Sequence, residues 1–170
     1  MPKSPEGLAY TRHEYVHSIP SNKVTRFTVG EASTEYECTV ALVASNDIEI
    51  TASALEAARV TANKVLTLAT GGKSYFLRVC PYPHEIVREH KFMGFAGADR
   101  LSQGMKNSFG RPTGRSARIH ANQKVIAIDT NRDKIDLAKE ALKRASKKLP
   151  ISYRVVVEEI KQDRKELTDN

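Results

Sequence analysis

At 170 residues, 40% of them hydrophobic and 28% charged, the chain can bury one sizeable core and is too apolar for wholesale disorder. Its 27 Lys and Arg against 20 Asp and Glu leave a formal charge of +7 and a pI near 9.5. No apolar run approaches the roughly 18 residues of a membrane-spanning helix. No apolar stretch follows Lys3 as in a secretory signal, and two cysteines are too few for a disulfide scaffold, so a soluble protein of a reducing compartment is expected.

Residues 1–20 hold Pro2, Pro5 and Pro20 with Tyr10 and Tyr15, which predicts an extended arm. Strands are predicted at 23–29, stopping before Gly30, at 36–43, and at 48–51. A helix is predicted over 53–69. Leu55, Ala58, Ala62, Val65 and Leu66 line one face, Thr51 or Ser53 can cap it, and Gly71-Gly72 ends it. For Ser53, Glu56 stands where a capping box needs it.

Further strands are predicted at 75–80, 86–88, 117–120, 125–128 and 153–157. A second helix over 132–148 repeats Ile135, Ala138, Leu142, Ala145 and Leu149 at steps of three and four. Thr130 or Asn131 caps it and Pro150 closes it. Strands outnumber helices without βαβ alternation, which predicts an α+β fold: a mainly antiparallel sheet sandwich with two packed helices. Residues 21–158 form the single domain of this reading, and 159–170 a frayed tail.

The charge is not spread evenly. Between Gly71 and Lys124 stand ten cations (Lys73, Arg78, Arg88, Lys91, Arg100, Lys106, Arg111, Arg115, Arg118 and Lys124) against Glu85, Glu89 and Asp99, so this third of the chain carries the whole +7. Such local excess points to a polyanionic partner. Its centre, residues 99–118, mixes cations with Gly104, Gly110, Gly114 and Pro112 and has no acid after Asp99. Glycines let backbone approach phosphates while Arg and Lys neutralise them. Phe109 can stack on a base and Met105 can pack in a groove. A functional basic loop is expected over 100–115.

No enzyme constellation stands beside it. Cys80, His84 and His90 lack paired metal-ligand spacing, and Cys38 and Cys80 fall on strand patterns where cysteine acts as a small hydrophobe. The run 94–100 lacks G-x-G-x-x-G spacing, and Gly71-Gly72-Lys73-Ser74 lacks the upstream glycine of a P-loop. Neither a metal nor a cofactor is expected.

Four stretches together resemble one family. They are Ser53–Arg59 with Ala62-Asn63-Lys64, Phe76–Val79 with Tyr82-Pro83-His84, Ala96-Gly97-Ala98-Asp99-Arg100-Leu101 with Gly104-Met105, and Phe109-Gly110-Arg111-Pro112-Thr113-Gly114 with Ala117-Arg118. Residues 138–144 fit the same pattern. Over roughly residues 15–158 the chain resembles the archaeal and eukaryotic large-subunit ribosomal protein family called L ten e, universal L sixteen. The resemblance implies an α/β hammerhead-like fold and a non-enzymatic protein of the cytoplasmic ribosome. It also implies a place near the aminoacyl-tRNA site, with large-subunit rRNA, tRNA and neighbouring large-subunit proteins as partners.

The residues expected to meet RNA are Arg78, Arg88, Lys91, Arg100, Lys106, Phe109, Arg111, Arg115 and Arg118, with Gly97, Gly104, Gly110 and Gly114 admitting close approach. The alternative is an RNA-acting enzyme or assembly factor that holds RNA with the same loop.

Overall fold

A computed structural model describes residues 13–32, 36–91, 105, 108–150 and 152–160. In chain order the described elements are β1 (Thr28–Gly30), β2 (Cys38–Ala44), β3 (Ile48–Thr51), α1 (Ala52–Thr70), β4 (Tyr75–Val79), β5 (Glu85–Glu89), β6 (Arg111–Ile119), β7 (Lys124–Thr130), α2 (Ile135–Ser146) and β8 (Tyr153–Glu159). They form two sheets, a five-stranded one ordered β1-β4-β7-β2-β8 and a three-stranded one ordered β3-β6-β5. Every pairing is antiparallel. Among the described residues the architecture is α+β, with two helices on antiparallel sheets.

The helices form where apolar residues recur at helical spacing. Leu55, Ala58, Ala62 and Leu66 of α1 join Ala138, Ala141, Leu142 and Ala145 of α2 in one core with Val40, Leu42, Leu77, Ile126 and Ile128. The alanines let α1 and α2 pack closely, while α2 lies on β2, β7 and β8. α1 touches β4 of the larger sheet and β3 and β6 of the smaller, so it joins the two. Each Leu or Ile sealed in this core contributes about 1.5–3 kcal/mol.

Local chemistry resolves the choices that periodicity leaves open. Thr51 caps α1, its Oγ1 accepting the Ala54 N–H at 3.4 Å, whereas Glu56 turns to Arg59 rather than completing a capping box. α1 ends at Gly71, whose N–H returns to the Thr67 carbonyl at 2.9 Å. The second helix begins later than predicted. Residues Arg132–Lys134 form a 3-10 turn, and neither it nor α2 has a side-chain cap hydrogen bond, so the capping role expected of Thr130 or Asn131 is absent.

Strand boundaries also move. Of the first predicted strand only Thr28 and Val29 pair, and the strand runs on into Gly30 rather than stopping before it. The Val24 N–H donates to Asn22 Oδ1 at 3.1 Å and turns the chain before this strand. Tyr36 lies outside β2, with its hydroxyl donating to the Glu31 carbonyl at 2.8 Å. All seven residues of β2 are buried, since β7 and β8 flank it. Inside the arm expected over 1–20, residues His13–Tyr15 make a 3-10 turn and Val16 is buried. β8 runs to Glu159, one residue into the expected tail.

The largest correction concerns the basic loop. Residues 111–115 belong to β6, so the loop expected over 100–115 ends before Arg111. Pro112 is tolerated there because, among the described residues, this half of β6 pairs with β5 alone, and the register slips between Val87 and Arg88. A proline lacks the N–H of a sheet interior, but a bulge on a half-open strand does not require one.

Candidate nucleic-acid interface

The pairing of β5 with β6 sets Glu89 opposite Arg111, so Lys91, Gly110 and Arg111 gather at one end of the three-stranded sheet. Gly110 sits at φ +74°, and a Cβ there would stand 2.8–2.9 Å from the Glu89 and His90 backbone. Only glycine admits that approach. Arg88 reaches from β5 across the turn. Its Nη1 donates to the Gly110 carbonyl at 3.3 Å, and its guanidinium carbon lies 4.3 Å from the Phe109 ring centroid. Phe109 as a whole is 65% exposed. Lys91 and Arg111 are exposed beside it, with Glu89 the acid in register. Further along β6, open space stands where Gly114 would carry a Cβ.

The other expected cations are placed differently. Arg78 on β4 pairs with Asp129 on β7 at 2.8 Å, and the same carboxylate accepts the Thr39 hydroxyl at 2.7 Å. Arg118 on β6 lies 3.2 Å from Glu85 on β5 through Nε, and both side chains are largely buried. Arg115 donates through Nε to the Pro20 carbonyl at 2.7 Å and through Nη1 to the Tyr82 hydroxyl at 3.5 Å. Arg100, Lys106, Gly97 and Gly104 lie outside the described residues.

So the structure brings Arg88, Lys91, Phe109, Gly110 and Arg111 together, and it gives Arg78, Arg115 and Arg118 internal partners. Charge alone does not separate these groups, because the acids and carbonyls that engage them are distant in sequence. The stack of Phe27 on Tyr82, with centroids 5.5 Å apart, lies beside Arg115 and escaped sequence reasoning. Tyr82 stands between Pro81 and Pro83, the one local hint of a fixed exposed ring.

Among the described residues no three His, Cys, Asp or Glu side chains come close enough to hold a metal. Cys38 is buried on β2, but Cys80 follows β4 and is exposed, so the small-hydrophobe role fits Cys38 only. No described helix is long and apolar enough to cross a membrane.

A family profile described as Ribosomal protein L16p/L10e matches residues 5–156. The chain belongs to this family of large-subunit ribosomal proteins. It is 41% identical over 163 residues to the large ribosomal subunit protein uL16 of Hyperthermus butylicus, covering 96% of this chain and 91% of that one. It is 46% identical over 150 residues to that of Thermofilum pendens, covering 88% and 89%. With uL16 of Archaeoglobus fulgidus the identity is 42% over 149 residues, covering 88% and 86%. The family consists of ribosomal proteins rather than enzymes, which decides against the RNA-acting enzyme as the alternative.

Proposed function

We propose that this protein binds large-subunit rRNA through the β5–β6 end of its three-stranded sheet and helps position tRNA in the aminoacyl site. The observation that carries the reading is the convergence of exposed Lys91 and Arg111 with Arg88 and Phe109 around Gly110. Cations held this way neutralise phosphates without desolvating themselves, and each phosphate neutralised releases counterions. Arg100 and Lys106 add charge to the same stretch of chain. In this reading residues 21–158 are the rRNA-binding domain, with 1–20 an arm and 159–170 a tail. Neighbouring large-subunit proteins complete the surroundings, and the tRNA role is what the family resemblance implies.

Filter binding of large-subunit rRNA across a salt series tests it. Changing Arg88, Lys91 and Arg111 together to Gln is expected to weaken binding and to lower the salt slope by about one for each phosphate left without its cation. The same change at Lys139 and Lys143 on α2 and at Lys147, its C-cap, is expected to do far less, since those side chains are solvated. Equal losses from the two sets would overturn the assignment. In reconstituted large subunits the first variant is expected to sediment normally and to accept aminoacyl-tRNA less well.

A further inference from the structure

An aromatic residue left 65% exposed at a cationic corner calls for a partner. One face of Phe109 is already taken, because the Arg88 guanidinium lies 4.3 Å from its centroid. Arg88 in turn is anchored at the Gly110 carbonyl, and its Nε is shielded from solvent with no acceptor among the described residues. Burying a guanidinium N–H without an acceptor is unfavourable, so the stack on the ring must offset that loss. Gly110 then fixes where the ring sits, since no other residue fits against Glu89 and His90. The result is an aromatic residue backed by a guanidinium and still largely exposed.

We infer that Phe109, backed by Arg88, is a stacking site for an unpaired nucleobase; this rests on the RNA-binding reading above. A base laid on the open face would complete a guanidinium–ring–base stack, with Lys91 and Arg111 beside it for the flanking phosphates. The same charges disfavour an apolar protein patch as the partner, because charged residues are depleted at the core of protein interfaces. A base inside a duplex has both faces covered by its neighbours, so the site selects loops, bulges and single strands.

The test uses the full chain and two RNA probes of equal length, each carrying one 2-aminopurine. In one the fluorescent base is unpaired in a hairpin loop; in the other it is paired within a duplex. The wild-type chain is expected to quench the unpaired base and leave the paired one unchanged. Phe109→Leu is expected to abolish the quenching and weaken the hairpin probe about tenfold or more, with duplex affinity within about twofold of wild type. Phe109→Tyr keeps a stacking ring and is expected to restore both signals. The exposed ring contributes little to the core, so matching thermal midpoints verify the fold of both variants. Equal behaviour of Phe109→Leu and wild type on the hairpin probe, with salt dependence intact, overturns the stacking site alone, as does a proportional loss on both probes. Wild-type binding without salt dependence on either probe overturns the RNA-binding reading as well.

Discussion

Arg111 and Arg118 stand on one strand with the same functional group, and their neighbours assign them opposite work. Arg111 faces solvent, whereas Arg118 compensates Glu85 across the β5–β6 pair, where side-chain exposure falls to 18% and 7%. Removing one partner of a buried pair strands the other charge, which costs about 3–5 kcal/mol. Arg118→Met is therefore expected to lower the unfolding free energy by roughly 3 kcal/mol in urea titrations while the folded fraction binds RNA as before. Unchanged stability with weakened RNA binding would return Arg118 to the interface. Arg78 follows the same logic more mildly, since it is half exposed while the Asp129 it serves is buried.

Among the elements, β8 shows how a strand can be read from its pattern and still hide its chemistry. Its run of valines announces a strand, but among the described residues it pairs only with β2 and stands at the sheet edge, where Val155 and Val157 remain 38% and 40% exposed. Arg154, Glu158 and Glu159 guard that edge against pairing with other chains. At its start, the Tyr153 hydroxyl is buried with no partner among the described residues, and burial pushes its pKa up to about 12. An unfolded tyrosine ionises near pH 10. Below that pH both states are protonated and the residue adds no pH dependence. As pH rises from about 10 toward about 12, the unfolded chain releases the proton first and stability falls. Tyr153→Phe is expected to flatten that alkaline limb in melts at stepped pH. At neutral pH it should be neutral or slightly stabilising, because it deletes an unsatisfied polar group. A marked loss of stability at neutral pH would show that the hydroxyl has a partner.

For the molecule as a whole, Arg115 ties together segments far apart in the chain. It holds the Pro20 carbonyl and the Tyr82 hydroxyl, and Tyr82 stacks on Phe27, so one side chain links the amino-terminal segment, the β4–β5 connection and β6. Lysine keeps the charge but lacks the planar fork that serves two acceptors. Arg115→Lys is expected to speed amide exchange severalfold over residues 16–27 and to move the thermal midpoint by no more than about 4 °C, the shift for a loss near 1 kcal/mol. RNA affinity should not change. Unaltered exchange together with weaker RNA binding would place Arg115 in the interface instead.

What periodicity and composition reveal here is whatever neighbouring residues decide among themselves. The helical stripes of Leu55–Leu66 and Ala138–Ala145, the strand runs around Val40 and Ile126, and the α+β class all follow from local spacing. The Phe-Gly-Arg-Pro-x-Gly box pointed in the same way to the family, while the +7 of residues 71–124 underlies the proposed RNA binding. Which arginines face solvent could not be read from spacing. Asp129 meets Arg78 and Glu85 meets Arg118 only through strand register, a long-range property set when the sheets form. The same holds for residues 111–115. Their glycine and proline read locally as loop, yet pairing with β5 supplies the hydrogen bonds that make them a strand and brings Arg111 beside Phe109 and Lys91. Side-chain chemistry is written residue by residue, but which charges remain available to a partner depends on partners brought together by folding.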